Sequence, residues 1–132
     1  EKYGGTVYGQ MAALLAAKAY LEAGDAKAAR APLQWAADKA RDDEFRQIAR
    51  VRLAGVLLDE KAYDEALKVL GAAPSDAFAG LFADRRGDVL AAQGKADEAR
   101  AAYKLALDKT QDGSPLRRLI EVKLEGLGGT GS

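Results

Sequence analysis

Two carboxylates one helical turn apart, Asp84 and Asp88, flanked by Arg85 and Arg86, form the densest group of chemistry-bearing side chains in the sequence. Spacing i, i+4 puts both carboxyl groups on one helix face, as a shared cation requires, but two adjacent guanidinium groups compete for the same oxygens. The arrangement therefore points to ion pairs at the surface or between repeats, with Gly87 allowing a close helix approach, and to neither metal binding nor catalysis. The run Gly126-Leu127-Gly128-Gly129-Thr130-Gly131 is glycine-rich like a phosphate loop, yet it lacks a preceding strand, a following helix and a Gly-Lys-Ser/Thr ending. No cofactor is expected.

The 132 residues contain neither histidine nor cysteine. That removes thiolate and imidazole ligands, cysteine nucleophiles and Ser-His triads, leaving an enzyme only carboxylates, lysines and tyrosines. Twenty Lys plus Arg balance twenty Asp plus Glu, so there is no net positive field for a nucleic-acid backbone. No apolar window reaches the length of a membrane span. The start at Glu1 reads as that of a fragment.

These residues sit in a chain with 29 alanines and sparse, non-alternating β-branched residues, which predicts an all-α fold. Turn signals at Gly24-Asp25, Arg41-Asp42-Asp43, Glu60-Lys61, Pro74-Ser75, Gly94-Lys95 and Asp112-Gly113-Ser114-Pro115 predict seven helices. These run near 6–23, 26–41, 43–60, 62–72, 75–93, 95–110 and 115–126. Ser75 and Ser114 suit helix starts. Pro32 falls inside the second helix, where an unrelieved proline costs about 3 kcal/mol, so a kink or a late start is expected there.

The stretches GDAKAARAPLQWAADKA from residue 24, KAYDEALKVLGAAPS from 61 and GKADEARAAYKLALDKT from 94 superpose without gaps, at offsets of 37 and 33. In that register Ala29, Ala66 and Ala99 align, as do Leu33, Leu70 and Tyr103, then Ala36, Ala73 and Ala106. The preceding helices align Ala17, Ala54 and Gly87, with Tyr20, Leu57 and Leu90. Small positions let antiparallel helices approach, and bulky ones fill the space between pairs. A period near 34 with this scheme is that of tetratricopeptide repeats, although the signature tryptophan, proline and two of three glycines are replaced.

The expected architecture is a right-handed α-solenoid of three tetratricopeptide-like hairpins, at about 10–43, 47–78 and 80–111, with a C-terminal capping helix at 115–126. The domain would occupy 6–127, after a flexible start at 1–5 and before a disordered tail at 128–132. In the cap, Leu116, Leu119, Ile120, Val122, Leu124 and Leu127 would cover the last repeat, with Arg117, Arg118, Glu121, Lys123 and Glu125 toward water. Trp35 reads as a packing residue.

In such solenoids the first helix of each hairpin lines the concave face. Its positions two, five, nine and twelve are Met11, Leu14, Lys18 and Leu21, then Ile48, Val51, Gly55 and Leu58, then Leu81, Asp84, Asp88 and Ala91. This surface, apolar at one end and acidic at the other, would hold an apolar peptide or helix. The same side chains could instead pack on a neighbouring helix, on a missing amino-terminal segment or on a second copy in a homodimer.

From about Val7 to Leu127 the chain resembles the tetratricopeptide-like domain of the YfgM family, ancillary subunits of the bacterial Sec translocon. The resemblance rests on Tyr8-Gly9, on Arg52-Leu53-Ala54 and above all on ADRRGDVLAAQGKADEARAAYKLAL from residue 83. It implies an amino-terminal membrane helix, absent here, and a domain on the periplasmic side of the inner membrane. The partners it implies are the SecYEG channel and the PpiD chaperone, and the role is non-catalytic assistance to translocated polypeptides. A scaffold domain of an envelope-assembly protein, binding one fixed peptide, is the alternative.

Overall fold

A computed structural model describes residues 7–71 and 75–127, and all regular structure in them is helical. The helices are α1 (Val7–Glu22), α2 (Ala26–Lys39), α3 (Asp43–Asp59), α4 (Tyr63–Val69), α5 (Asp76–Ala92), α6 (Ala96–Asp108) and α7 (Pro115–Gly126). Each expected helix is present, shorter by up to three residues at an end. The expected flexible start and disordered tail, and Ala73 and Pro74, lie outside the described residues.

The chain divides into two compact units, Glu1–Lys61 and Ala62–Ser132. In the first, α2 packs against both α1 and α3. Its core is dominated by alanine, with Ala13, Ala17, Ala29, Ala36 and Ala49 fully buried beside Leu33. Gln10 is also buried, and its Oε1 accepts from the Asp42 N–H at 2.7 Å, tying α1 to the turn between α2 and α3. In the second unit α5 packs chiefly on α6, with α4 beside α5 and α7 beside α6. Its core joins Ala83, Leu90, Ala99, Ala102, Tyr103, Ala106 and Ile120.

The helix ends show how the turns are specified. Asp25 and Asp42 cap α2 and α3 by accepting from the Ala28 and Glu44 N–H groups at 3.0 and 2.9 Å. Ser114 does the same for Leu116 at 3.2 Å, whereas Ser75 takes the N-cap position without a side-chain capping bond. Helix α2 begins six residues before Pro32, so the late start does not occur, and the proline is buried within the helix. Three arginines close the carbonyl ends of α2, α4 and α6 from the helix that follows. Arg46 Nη1 donates to Ala40 O at 2.7 Å, Arg86 Nη2 to Leu70 O at 2.9 Å and Arg117 Nη1 to Leu107 O at 2.8 Å.

Helices α1 and α5 end in glycines of positive φ, Gly24 and Gly94, both at 80°. The next N–H in each case reaches back to the last turn, Asp25 N to Tyr20 O and Lys95 N to Leu90 O. The residue in the same register after α3 is Lys61, at φ 64°, a conformation disfavoured by its Cβ. Lys61→Gly is therefore expected to stabilise the protein by about 0.5–1 kcal/mol, read as a shift in the urea midpoint at constant slope. Gly24→Lys should produce a loss of similar size.

Candidate functional site

Asp84 and Asp88 lie on α5 in the second unit, and the structure surrounds them with groups from α6 and α7. Asp84 is fully buried. Its Oδ1 accepts from Lys123 Nζ at 2.9 Å, while Oδ2 takes Arg85 Nη1 at 2.7 Å and Lys123 Nζ at 3.1 Å. Asp88 Oδ1 accepts from the Tyr103 hydroxyl at 2.6 Å and lies 3.0 Å from Lys123 Nζ. The same ammonium sits 5.8 Å from the centre of the Tyr103 ring, within cation–π range.

Two carboxylates thus face two cations, with α7 supplying the lysine and α6 the tyrosine. The local charge is balanced by side chains, and each carboxylate oxygen accepts from at least one protein donor. The expected placement of Lys123 toward water is corrected. Its side chain is 22 % exposed and turned to α5, because residue 123 lies three positions after buried Ile120 and shares its helix face.

Burial pushes the Asp84 carboxyl above the ordinary aspartate range, and the nearby Asp88 charge pushes it the same way, against the Lys123 hydrogen bond and the charges of Lys123 and Arg85. Burial and the Asp88 hydrogen bond likewise raise the Tyr103 hydroxyl, which keeps its proton and remains a donor. A carboxyl with a raised folded-state pKa binds more protons folded than unfolded between the two values, so its contribution weakens as pH rises through that window. The wild-type chain is therefore expected to lose stability relative to Asp84→Asn between pH 4 and pH 7. Parallel denaturation curves for the two proteins would refute this sign.

Gly87 sets the distance between α5 and α6. A Cβ built on it would lie 2.5 Å from Tyr103 Cε1 and 2.6 Å from Cδ1, so the close approach expected at this glycine is present, and the ring it admits carries the hydroxyl that reaches Asp88. Neither Lys123 nor Tyr103 was among the site residues expected from sequence. Helical spacing from Ile120 identifies the first, while the second depends on the α5–α6 contact.

The other expected site residues divide by exposure. On α1, Met11 is 48 % and Leu21 38 % exposed, Lys18 is exposed and Leu14 half-buried; on α3, Ile48, Gly55 and Leu58 are half-buried. In the second unit Leu81 and Ala91 are half-buried. Val51 and Asp84 are corrected as surface residues. Val51 is 5 % and Asp84 0 % exposed, so the first is core and the second belongs to the internal charge network. Trp35 is half-buried.

A cleft of about 460 Å³ lies in the second unit between the first turns of α5 and the α6–α7 turn, lined among others by Phe78, Leu81, Lys109, Thr110 and Leu116. No group of three or more metal-ligating side chains occurs among the described residues. No helix among them is long and apolar enough to cross a membrane.

The sequence matches the family described as tetratricopeptide repeat-like domain over residues 1–129. It is 35 % identical over 127 residues to an "Ancillary SecYEG translocon subunit" of Neisseria gonorrhoeae (strain ATCC 700825 / FA 1090), covering 96 % of this chain and 61 % of that protein. It is 28 % identical over 120 residues to a protein of the same description from Escherichia coli (strain K12), covering 91 % and 58 %. The chain thus spans about three fifths of the length of these curated relatives. No solved structure matches. With the family matched along nearly its whole length, the chain belongs to the tetratricopeptide repeat-like domain family.

Proposed function

We propose that this chain is the non-catalytic protein-interaction domain of an ancillary subunit of the Sec translocon, acting on the periplasmic side of the bacterial inner membrane. The observation that carries the reading is the 35 % identity to the Neisseria subunit across 127 of the 132 residues. The balanced donor set around Asp84 fits it, because a carboxylate pair committed to structural ion pairs offers no reacting group.

In this reading the full-length protein is anchored by an amino-terminal membrane helix, and it works with a periplasmic chaperone of the PpiD kind on newly translocated polypeptides. The architecture that goes with it is a right-handed solenoid of three hairpins and a capping helix, supported by offsets of 37 and 33 between repeats. The contact surface would include Met11, Leu14, Lys18 and Leu21 of α1 and Ile48, Gly55 and Leu58 of α3, where apolar side chains keep surface available.

The test is to tag the full-length protein at its natural level and extract native membranes in mild detergent. Mass spectrometry then identifies the co-purifying chains. Translocon subunits together with a periplasmic chaperone are the expected result, weakened by Leu21→Glu. Recovery of a single different partner with no translocon subunit would replace the reading with that of an envelope scaffold.

A further inference from the structure

The repeat register allows the first helices of the three hairpins to be compared position by position. On α3, the residues Ala49, Leu53, Val56 and Leu57 are 0, 1, 3 and 1 % exposed. Their counterparts on α5 are Phe82, Arg86, Val89 and Leu90, of which the three apolar residues are buried and Arg86 turns its guanidinium to Leu70 O. Both helices follow another helix in the chain and pack against it, α3 on α2 and α5 on α4. In the second unit Arg86 meets the end of the helix before α5, while Leu90, at the far end of the row, joins the core with α6 and α7.

On α1 the same positions are Ala12, Ala16, Ala19 and Tyr20. Here Ala12 and Ala16 are only half-buried, Ala19 is exposed, and Tyr20 is 38 % exposed against 1 % for Leu57. Leu15, the most exposed large apolar residue among the described residues at 60 %, borders the row. The row carries no charge, and three alanines permit an approach as close as those inside the alanine-rich core of the first unit. It lies to one side of the Met11, Leu14 and Leu21 surface named above and is distinct from it.

We propose that this row of α1 seats an amphipathic helix of the α2 type, contributed by the same polypeptide ahead of α1. About two fifths of the length of the curated relatives lies outside the matched stretch, enough for a further hairpin. A second helix of this fold carries apolar residues enough for such a contact: on α2, which packs on both α1 and α3, Leu33, Ala36, Ala37 and Ala40 are all buried. The assignment stands independently of the translocon reading.

The absence of cysteine from this chain makes thiol protection a clean measure. Ala19→Cys and Lys18→Cys, adjacent residues both exposed here, are introduced singly into the full-length protein. Labelling by a maleimide is followed at the peptide level by mass spectrometry. A seated helix is expected to slow Ala19→Cys by about tenfold relative to Lys18→Cys, with the same protection at every protein concentration. Equal rates at positions 18 and 19 would overturn the proposal, and so would protection that disappears on dilution, which would assign the row to a second copy.

Discussion

Replacing Lys123 with Met is expected to destabilise the protein by about 3 kcal/mol at pH 7, a large part of the stability of a chain this size. The substitution keeps an unbranched apolar side chain at this position but withdraws the one ammonium shared by Asp84 and Asp88. Asp84 is fully buried and cannot turn to water, so its charge is left to Arg85 alone. The loss falls at the lower end of the range for breaking a buried ion pair because that one partner remains. Protonating Asp84 removes the uncompensated charge. The deficit of Lys123→Met against wild type should therefore shrink as pH falls from 7 toward 4, as followed by circular dichroism in urea.

The double variant Asp84→Val/Lys123→Met distinguishes charge from packing. In the sequence register of the repeat the positions equivalent to Asp84 are Leu14 and Val51, so an apolar residue is already accommodated at this place in the repeat. Replacing both members of a buried pair by apolar groups is often neutral or stabilising. Recovery to within about 1 kcal/mol of wild type is expected, and a double variant as weak as the single one would show that the network contributes more than mutual neutralisation.

The contrast between Lys123 and Ile120 shows where sequence reading succeeds and where it stops. The seven helices were legible because alanine-rich runs are separated by Gly, Asp and Ser at helix ends, and these signals act locally. Lys123 was misplaced because residue type was weighed above spacing, although its interval from Ile120 puts it on the packed side of α7. Tyr103 and Asp88 are fifteen positions apart on different helices, and their hydrogen bond depends on a helix separation set by Gly87. The three capping arginines occupy different repeat positions, so alignment of the repeats could not reveal them. Lys61 is the reverse case: its residue type argues against positive φ, and only its register with Gly24 and Gly94 exposes it.

Gly87→Ala is expected to cost about 2–3 kcal/mol, the upper part of the range for overpacking a core. A methyl group at this position meets the Tyr103 ring at 2.5 Å, and that ring is held from its far end by the bond to Asp88 and flanked by Lys123. It cannot yield without breaking the charge network. The other two repeat segments of the sequence contain the remedy, since the residues in register are Ala17 and Leu33 in one and Ala54 and Leu70 in the other, each of them buried. Where the first helix has alanine the second has leucine, and where it has glycine the second has tyrosine. Tyr103→Leu in the Gly87→Ala background should then restore most of the lost stability, whereas Tyr103→Leu alone should be destabilising through the cavity opposite Gly87 and the lost hydroxyl. Additive losses in the double variant would sink the account, because a coupling of opposite sign is what a single shared volume between α5 and α6 requires.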